Sequence, residues 1–147
     1  MQDCILTVMC MLCSGDKVLV QDKVGSGWHG VNFPGGHVEW GESFSAAMIR
    51  EFYEETGLTI ESPRLAGVKN WFRKGGERYI VLLYTAEKFS GDLHSSDEGE
   101  VFWVDRAELP DLKLADGFEL MLPVFEDANV NELYWAPDAD DSGYEYL

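Results

Sequence analysis

Between Gly35 and Leu58 the chain reads GGHVEWGESFSAAMIREFYEETGL, gathering Glu39, Glu42, Glu51, Glu54 and Glu55 around a single Arg50. Ser43 to Thr56 has the pattern of a helix, with Ser43 as its N-cap and Gly57 as its stop. On that helix Glu51 lies three and four residues before Glu54 and Glu55, so the three carboxylates share one face. Like charges at this spacing destabilise a helix unless something positive sits among them. Ala46, Ile49 and Phe52 or Tyr53 supply an apolar face that anchors the helix on a sheet. Arg50 can hold a neighbouring carboxylate in place by a bidentate contact. Three carboxylates at one point are favourable around Mg²⁺, which takes hard oxygen ligands. A solvated acidic face accounts for the charge but not for Gly35, Gly36 and Gly41, which form a tight loop just ahead of the helix. Such a loop brings backbone carbonyls and amides up to the same carboxylates.

Around this segment the chain alternates between strand and helix patterns. Strands are predicted over Ile5 to Cys13 and Lys17 to Gln21, joined by the turn Ser14-Gly15-Asp16. Val24 to Asn32 is a Gly-rich loop. Thr59 to Phe72 is extended but broken near Pro63, and Arg73-Lys74-Gly75-Gly76 leads by a hairpin into Tyr79 to Glu87. Val101 to Val104 makes a further strand, and Phe118 to Phe125 a second helix shortened or bent by Pro123. Strands surrounding two helices in mixed order imply an α/β sandwich around a mixed sheet, in one domain spanning residues 1–147. The acidic, turn-rich tail from about 136 to 147 is expected to be a surface segment.

Charge narrows the function. The 27 acidic residues against 11 basic ones give a net charge of −16, a field that repels phosphate backbones and anionic lipid. Stable nucleic-acid or membrane binding is therefore not expected, whereas a small phosphate substrate remains compatible if metal ions carry it in. No apolar run is long enough to cross a bilayer, and the N-terminus lacks a basic region and cleavage site, so a cytoplasmic location is expected. Cys10 and Cys13 form a CxxC, but a strand points them to opposite faces and no second pair exists, so buried thiols are expected. No Ser/His or Cys/His nucleophile is evident, and His29, His37 and His94 fall in expected loops.

Gly36, five residues, Glu42, seven residues, and then Arg50-Glu51-Phe52-Tyr53-Glu54-Glu55-Thr56-Gly57-Leu58 resembles the Nudix box of the Nudix hydrolases. Seven motif residues fall at the family's spacing, which average residue usage gives by chance about once in 10⁸ to 10⁹ start positions. Phe52 departs from the usual aliphatic residue while staying apolar. The resemblance implies the Nudix-type α/β/α sandwich, a catalytic loop-helix-loop, and hydrolysis of a nucleoside diphosphate linked to another group. It implies that Glu54 and Glu55 are metal ligands, joined by the Gly35 carbonyl, and that Glu51 is a ligand or the general base. Arg50 would orient a carboxylate, and Glu42 would brace the box or join a second metal. The positive partner that the acidic helix requires is then divalent metal, Mg²⁺ or alternatively Mn²⁺.

Outside the box, Asn32-Phe33-Pro34-Gly35-Gly36-His37-Val38-Glu39 after Trp28, and Asp97 to Val104 followed by Glu108-Leu109-Pro110, resemble the MutT-type subgroup. That resemblance implies a further acidic ligand from the later loop, Glu100 or Glu98, of which Glu100 is preferred. It also points to Asn32, and more weakly Asp116, as readers of a base. Phe33 and Trp28 are candidates to stack on it, with buried packing the alternative for either. Among the scarce cations Lys23, Arg73, Lys74 and Arg78, Arg78 is the preferred phosphate contact because its strand leads back to the core. The implied activity is a nucleoside triphosphate pyrophosphatase acting on a substrate such as 8-oxo-dGTP, in a monomer or homodimer. ADP-ribose, a nucleotide sugar, a dinucleoside polyphosphate or capped RNA are the alternative substrates. A non-catalytic nucleotide-sensing domain is the alternative class, but such domains usually have eroded box carboxylates.

Overall fold

The computed structural model describes residues 1–24 and 29–147. Its strands are β1 (Cys4–Ser14), β2 (Lys17–Lys23), β3 (Gly30–Asn32), β4 (Gly35–His37), β5 (Leu58–Glu61), β6 (Arg64–Phe72), β7 (Arg78–Ala86), β8 (Lys88–Gly91), β9 (Gly99–Asp105), β10 (Glu132–Trp135) and β11 (Tyr144–Tyr146). The helices are α1 (Phe44–Thr56) and α2 (Phe118–Glu126), with a 3-10 turn over Arg106–Asp111. The main sheet runs β11-β10-β6-β7-β1-β2-β3, with β4 paired to β1 and β9 to β2, while β5 and β8 form a separate two-stranded sheet. Parallel pairing of β1 with β7 and of β10 with β6 makes the main sheet mixed.

Alternation along β1 builds two cores. Val8, Cys10 and Leu12 face one layer with Ala47, Met48 and Phe52 of α1. Met9, Met11 and Cys13 face the other with Phe118, Met121, Val124 and Phe125 of α2. Cys10 and Cys13 thus lie on opposite sides, and burial pushes both thiols up out of the reactive range.

The Ser43 hydroxyl accepts the Ala46 N–H at 3.1 Å, and Gly57 closes α1 in the left-handed region at φ 77°. The face that α1 buries differs from the expected one. Ala47, Met48, Phe52, Glu55 and Thr56 are buried, whereas Ala46 and Tyr53 are exposed. The helix turns Glu55 inward, and its apolar stripe follows.

The tail lies at the surface as expected, but it ends in a strand. The chain end returns as β11 against β10, the Leu147 carbonyl accepts from the Asn131 and Glu132 amides, and the Tyr146 hydroxyl donates to the Leu120 carbonyl at 2.8 Å. The signal for β11 is only Tyr-Glu-Tyr, too short to stand against the surrounding Asp and Gly.

Candidate metal and nucleotide site

Arg50 is the hub of the acidic loop-helix. Its Nε donates to Glu42 Oε2 at 3.0 Å and its Nη2 to Glu42 Oε1 at 2.6 Å, a bidentate pair. Nη1 reaches Glu51 Oε1 at 2.9 Å and Glu54 Oε2 at 3.3 Å, while Nη2 also donates to the His37 carbonyl at 3.0 Å. Glu42 Oε1 accepts in addition from the Glu39 N–H at 2.7 Å. One guanidinium therefore ties the loop before α1 to the carboxylates on it. The Arg50 hydrogen bonds hold the Glu42 carboxyl down at about 2.

The three helix carboxylates do not meet at one point as the spacing suggests. Glu54 is exposed beside Arg50, Glu51 is half-buried, and Glu55 is only 2% exposed. Among the described residues no three acidic, His or Cys side chains stand already gathered at metal-binding distance. Arg50 occupies oxygens of Glu51 and Glu54 that a cation would otherwise take.

Glu55 is the unusual group. Its Oε2 accepts the Gly35 N–H at 3.0 Å, while its Oε1 is buried and meets no hydrogen-bond partner among the described residues. Burial, together with Glu98 beside it, pushes its carboxyl up to about 9, against a weaker opposing pull from Lys23. Burial also raises Glu51. A buried carboxylate oxygen without a partner costs several kcal/mol unless a cation or donor meets it. Gly36 completes the cradle, since a Cβ there would lie 2.2 Å from Glu51 Oε2. These donors are all hard oxygens on a scaffold that leaves Glu55 Oε1 unsatisfied. That set suits Mg²⁺ or Mn²⁺, with Glu55, Glu51 and Glu98 lining the cavity and Glu54 exposed beside Arg50.

The carboxylates open into a cavity of about 360 Å³. Gly35, Gly36, Glu51, Glu55, Glu98 and Lys23 line its acidic end. Thr7, Met9, Asn32, Phe33, Val81, Met121, Lys69, Trp71, Tyr79 and Asp116 line the rest. Trp71 and Tyr79 are stacked there at 4.5 Å between ring centroids, 17° from parallel.

Several expected residues fall elsewhere. The cavity takes Glu98 rather than the preferred Glu100. Glu100 sits within β9 opposite Asp22 and is exposed, whereas Glu98 precedes the strand and turns toward Glu55. Phe33 belongs to the cavity lining, but its ring is fully buried against Phe118 at 4.8 Å and Phe125 at 5.2 Å, so it packs in the core behind the cavity and does not stack on a base. Arg78 starts β7 outside the cavity, donating to Asn70 Oδ1 at 2.6 Å and Gln2 Oε1 at 3.2 Å and lying over the Phe72 ring. Its strand does lead to the core, but Arg78 sits at the wrong end. Trp28 lies outside the described residues. Asn32 and Asp116 both reach the cavity.

Sequence reasoning missed Lys69, Trp71 and Tyr79. The available signal was the period of two in Val68-Lys69-Asn70-Trp71, which places a lysine and a tryptophan on one face.

A family model described as the NUDIX domain matches residues 5–125. The chain belongs to the Nudix family. This Nudix hydrolase is 35% identical over 113 residues to the uncharacterized Nudix hydrolase YvcI of Bacillus subtilis, covering 74% of this chain and 70% of that protein. It is 31% identical over 110 residues to an oxidized purine nucleoside triphosphate hydrolase of Danio rerio, covering 72% and 69% of the two chains. The fold matches a mutator MutT protein of Bacillus halodurans with a TM-score of 0.76 at 26% identity, covering 97% of each chain. Pyrophosphate bonds are the substrate class of the family, and its enzymes generally use divalent metal.

Proposed function

We propose that this Nudix hydrolase is a Mg²⁺-dependent purine nucleoside triphosphate pyrophosphohydrolase, releasing the monophosphate and pyrophosphate. The observation that carries this reading is Glu55, a buried carboxylate with an oxygen that meets no partner among the described residues, in a cavity that also holds the stacked Trp71 and Tyr79. The activity of the Danio rerio relative supports a purine triphosphate, with an oxidised base such as 8-oxoguanine as the specific candidate. Glu55, Glu54 and Glu98 would hold the metal. Bound there, it offsets polyphosphate charge and lowers the pKa of water.

The chain's own groups do the rest. Arg50 fixes Glu51 by its Oε1, so the carboxylate cannot swing out of the cavity. Glu51 takes the proton of the attacking water, and Lys23 attracts the phosphates at the acidic end. The substrate is held between that end and the aromatic wall, so that positioning and electrostatics lower the barrier.

Turnover should require added Mg²⁺ or Mn²⁺, and Ca²⁺ should support little of it because it holds oxygens in a looser geometry. The rate should rise on the alkaline side, since a carboxylate base or a metal-polarised water works better once deprotonated. Initial rates against metal and pH check both, and a rate that falls with rising pH would refute the base assignment.

The substrate is tested by kcat/KM for dGTP, 8-oxo-dGTP, dATP, dCTP and ADP-ribose. ADP-ribose outpacing every triphosphate would overturn this reading while leaving the Nudix chemistry intact. Asn32→Ala refines the test. Its Oδ1 is pinned by the Phe33 N–H at 2.9 Å, which leaves Nδ2 as the donor for a base edge. The variant should lose about ten- to a hundred-fold of the preference between purines. Parallel losses on all substrates would reduce Asn32 to a loop support.

A further inference from the structure

Lys69 lies at the middle of β6 with only 8% of its surface exposed, and its exposed atoms line the cavity. Its ammonium has no hydrogen bond or ion pair among the described residues; it rests 5.1 Å from the Trp71 ring centroid and 5.6 Å from that of Trp135. A structural lysine buries its stem and sends its charge to water. Here the residue keeps only a small opening and lines the cavity, and desolvation draws the amine down to about 8. Cation–π contact offsets only part of that cost. A Cβ on Gly117 would come within 3.4 Å of Nζ, so the chain beside Asp116 passes directly over the ammonium.

The register locates this amine relative to the carboxylates. Lys69 pairs with Val81, Val81 with Thr7, and Thr7 with His37, so one row crosses β6, β7, β1 and β4. Three strand spacings separate Lys69 from the β4 segment where Glu51 and Glu55 gather, about 14 Å. A nucleotide whose phosphates lie among the carboxylates therefore reaches Lys69 with its base and not with its phosphates. The Trp71–Tyr79 wall on the same side offers that base an aromatic neighbour.

The polar chemistry at this end is specific. An ammonium only donates, and an ionised carboxylate only accepts. A 6-oxopurine offers the matching edge, a carbonyl oxygen beside ring and exocyclic N–H groups, whereas adenine carries an amino donor where guanine carries O6. We propose that Lys69 is a base-reading residue, its ammonium donating to the ring carbonyl of a 6-oxopurine while Asp116 accepts from the adjacent N–H groups. This rests on the reading of the cavity as a nucleotide site, and names the base that it selects.

Calorimetric binding of dGMP and dAMP tests it without requiring turnover. Wild type should bind dGMP more tightly, and Lys69→Met, which keeps the stem and removes the charge, should weaken dGMP binding about ten- to a hundred-fold with dAMP nearly unchanged. Asp116→Asn, at an exposed position, should narrow the same difference and carries the comparison should Lys69→Met fail to fold. Equal losses for both nucleotides, no loss for either, or no binding of dGMP by wild type would overturn the assignment. If wild type hydrolyses no triphosphate yet binds dGMP through Lys69, the hydrolase reading falls and the base assignment stands. If wild type hydrolyses triphosphates but is indifferent to Lys69→Met, the hydrolase reading stands and the base assignment falls.

Discussion

Glu55→Gln is expected to lower turnover about a thousandfold or more while the fold survives and withstands heat better without added metal. A thousandfold corresponds to about 4 kcal/mol of transition-state stabilisation, within reach of a single metal-centred interaction. The stability gain has a separate cause. In the wild type burial and the neighbouring Glu98 push the Glu55 carboxyl up to about 9, so near neutral pH it must take up a proton on folding, and its Oε1 meets no partner among the described residues. Glutamine keeps an oxygen for the Gly35 N–H and removes that cost. Added Mg²⁺ should reverse the order, because a ligand that binds only the folded state stabilises it, by about 2.7 kcal/mol at a hundredfold excess over Kd. Thermal unfolding of both proteins with and without Mg²⁺, beside steady-state rates, checks the two effects together. A variant that stays active at saturating Mg²⁺ would remove Glu55 from the site. Glu54→Gln should be comparably inactive with a smaller stability gain, since Glu54 is exposed.

The second large effect is expected from one methyl group. In Gly36→Ala the added Cβ would meet the Glu51 carboxylate at 2.2 to 2.6 Å and displace it. Because the obstacle is the end of a side chain, the protein should still fold, yet Glu51 must give up its place over the loop or its bond to Arg50. A shift of about 1 Å at a reacting group costs on the order of a hundredfold in rate. Gly35→Ala should behave differently. Its Cβ would lie 2.1 Å from the Val8 carbonyl, a backbone atom in β1 that cannot step aside. Loss of rate with a near-normal melting temperature in Gly36→Ala, against loss of the fold in Gly35→Ala, is the expected pair of results. Unchanged activity in Gly36→Ala would show that Glu51 does not act from the position described.

How far the sequence carried these conclusions varied along the chain. The bounds of the helix and the loop before it were legible because the determinants are local, a serine cap, a glycine stop and carboxylates at helical spacing, whereas the face that the helix buries was not. The mixed sheet was legible as a class but not as an order, since nothing local announces that β1 lies parallel to β7. For the same reason the far end of the cavity was missed apart from Asp116. Lys69, Tyr79 and Asp116 come from separate parts of the chain, and only the β1–β7–β6 pairing and the return before α2 bring them together. Glu98 and Glu100 could not be separated by spacing, because the register of β9 on β2 decides which one is committed to a strand position. Phe33 is a related case. Its position next to Asn32 suggested a base contact, but alternation sends its ring to the α2 side of the sheet.

The central claim is that the acidic loop-helix is a divalent-metal centre for cleaving a nucleotide's pyrophosphate linkage. Its most direct test is separation of the products formed from dGTP by the purified protein, once with saturating Mg²⁺ and once with excess chelator. The account predicts dGMP and pyrophosphate with Mg²⁺ and no products with chelator. Undiminished hydrolysis in chelator, or dGDP and orthophosphate as the products, would contradict it.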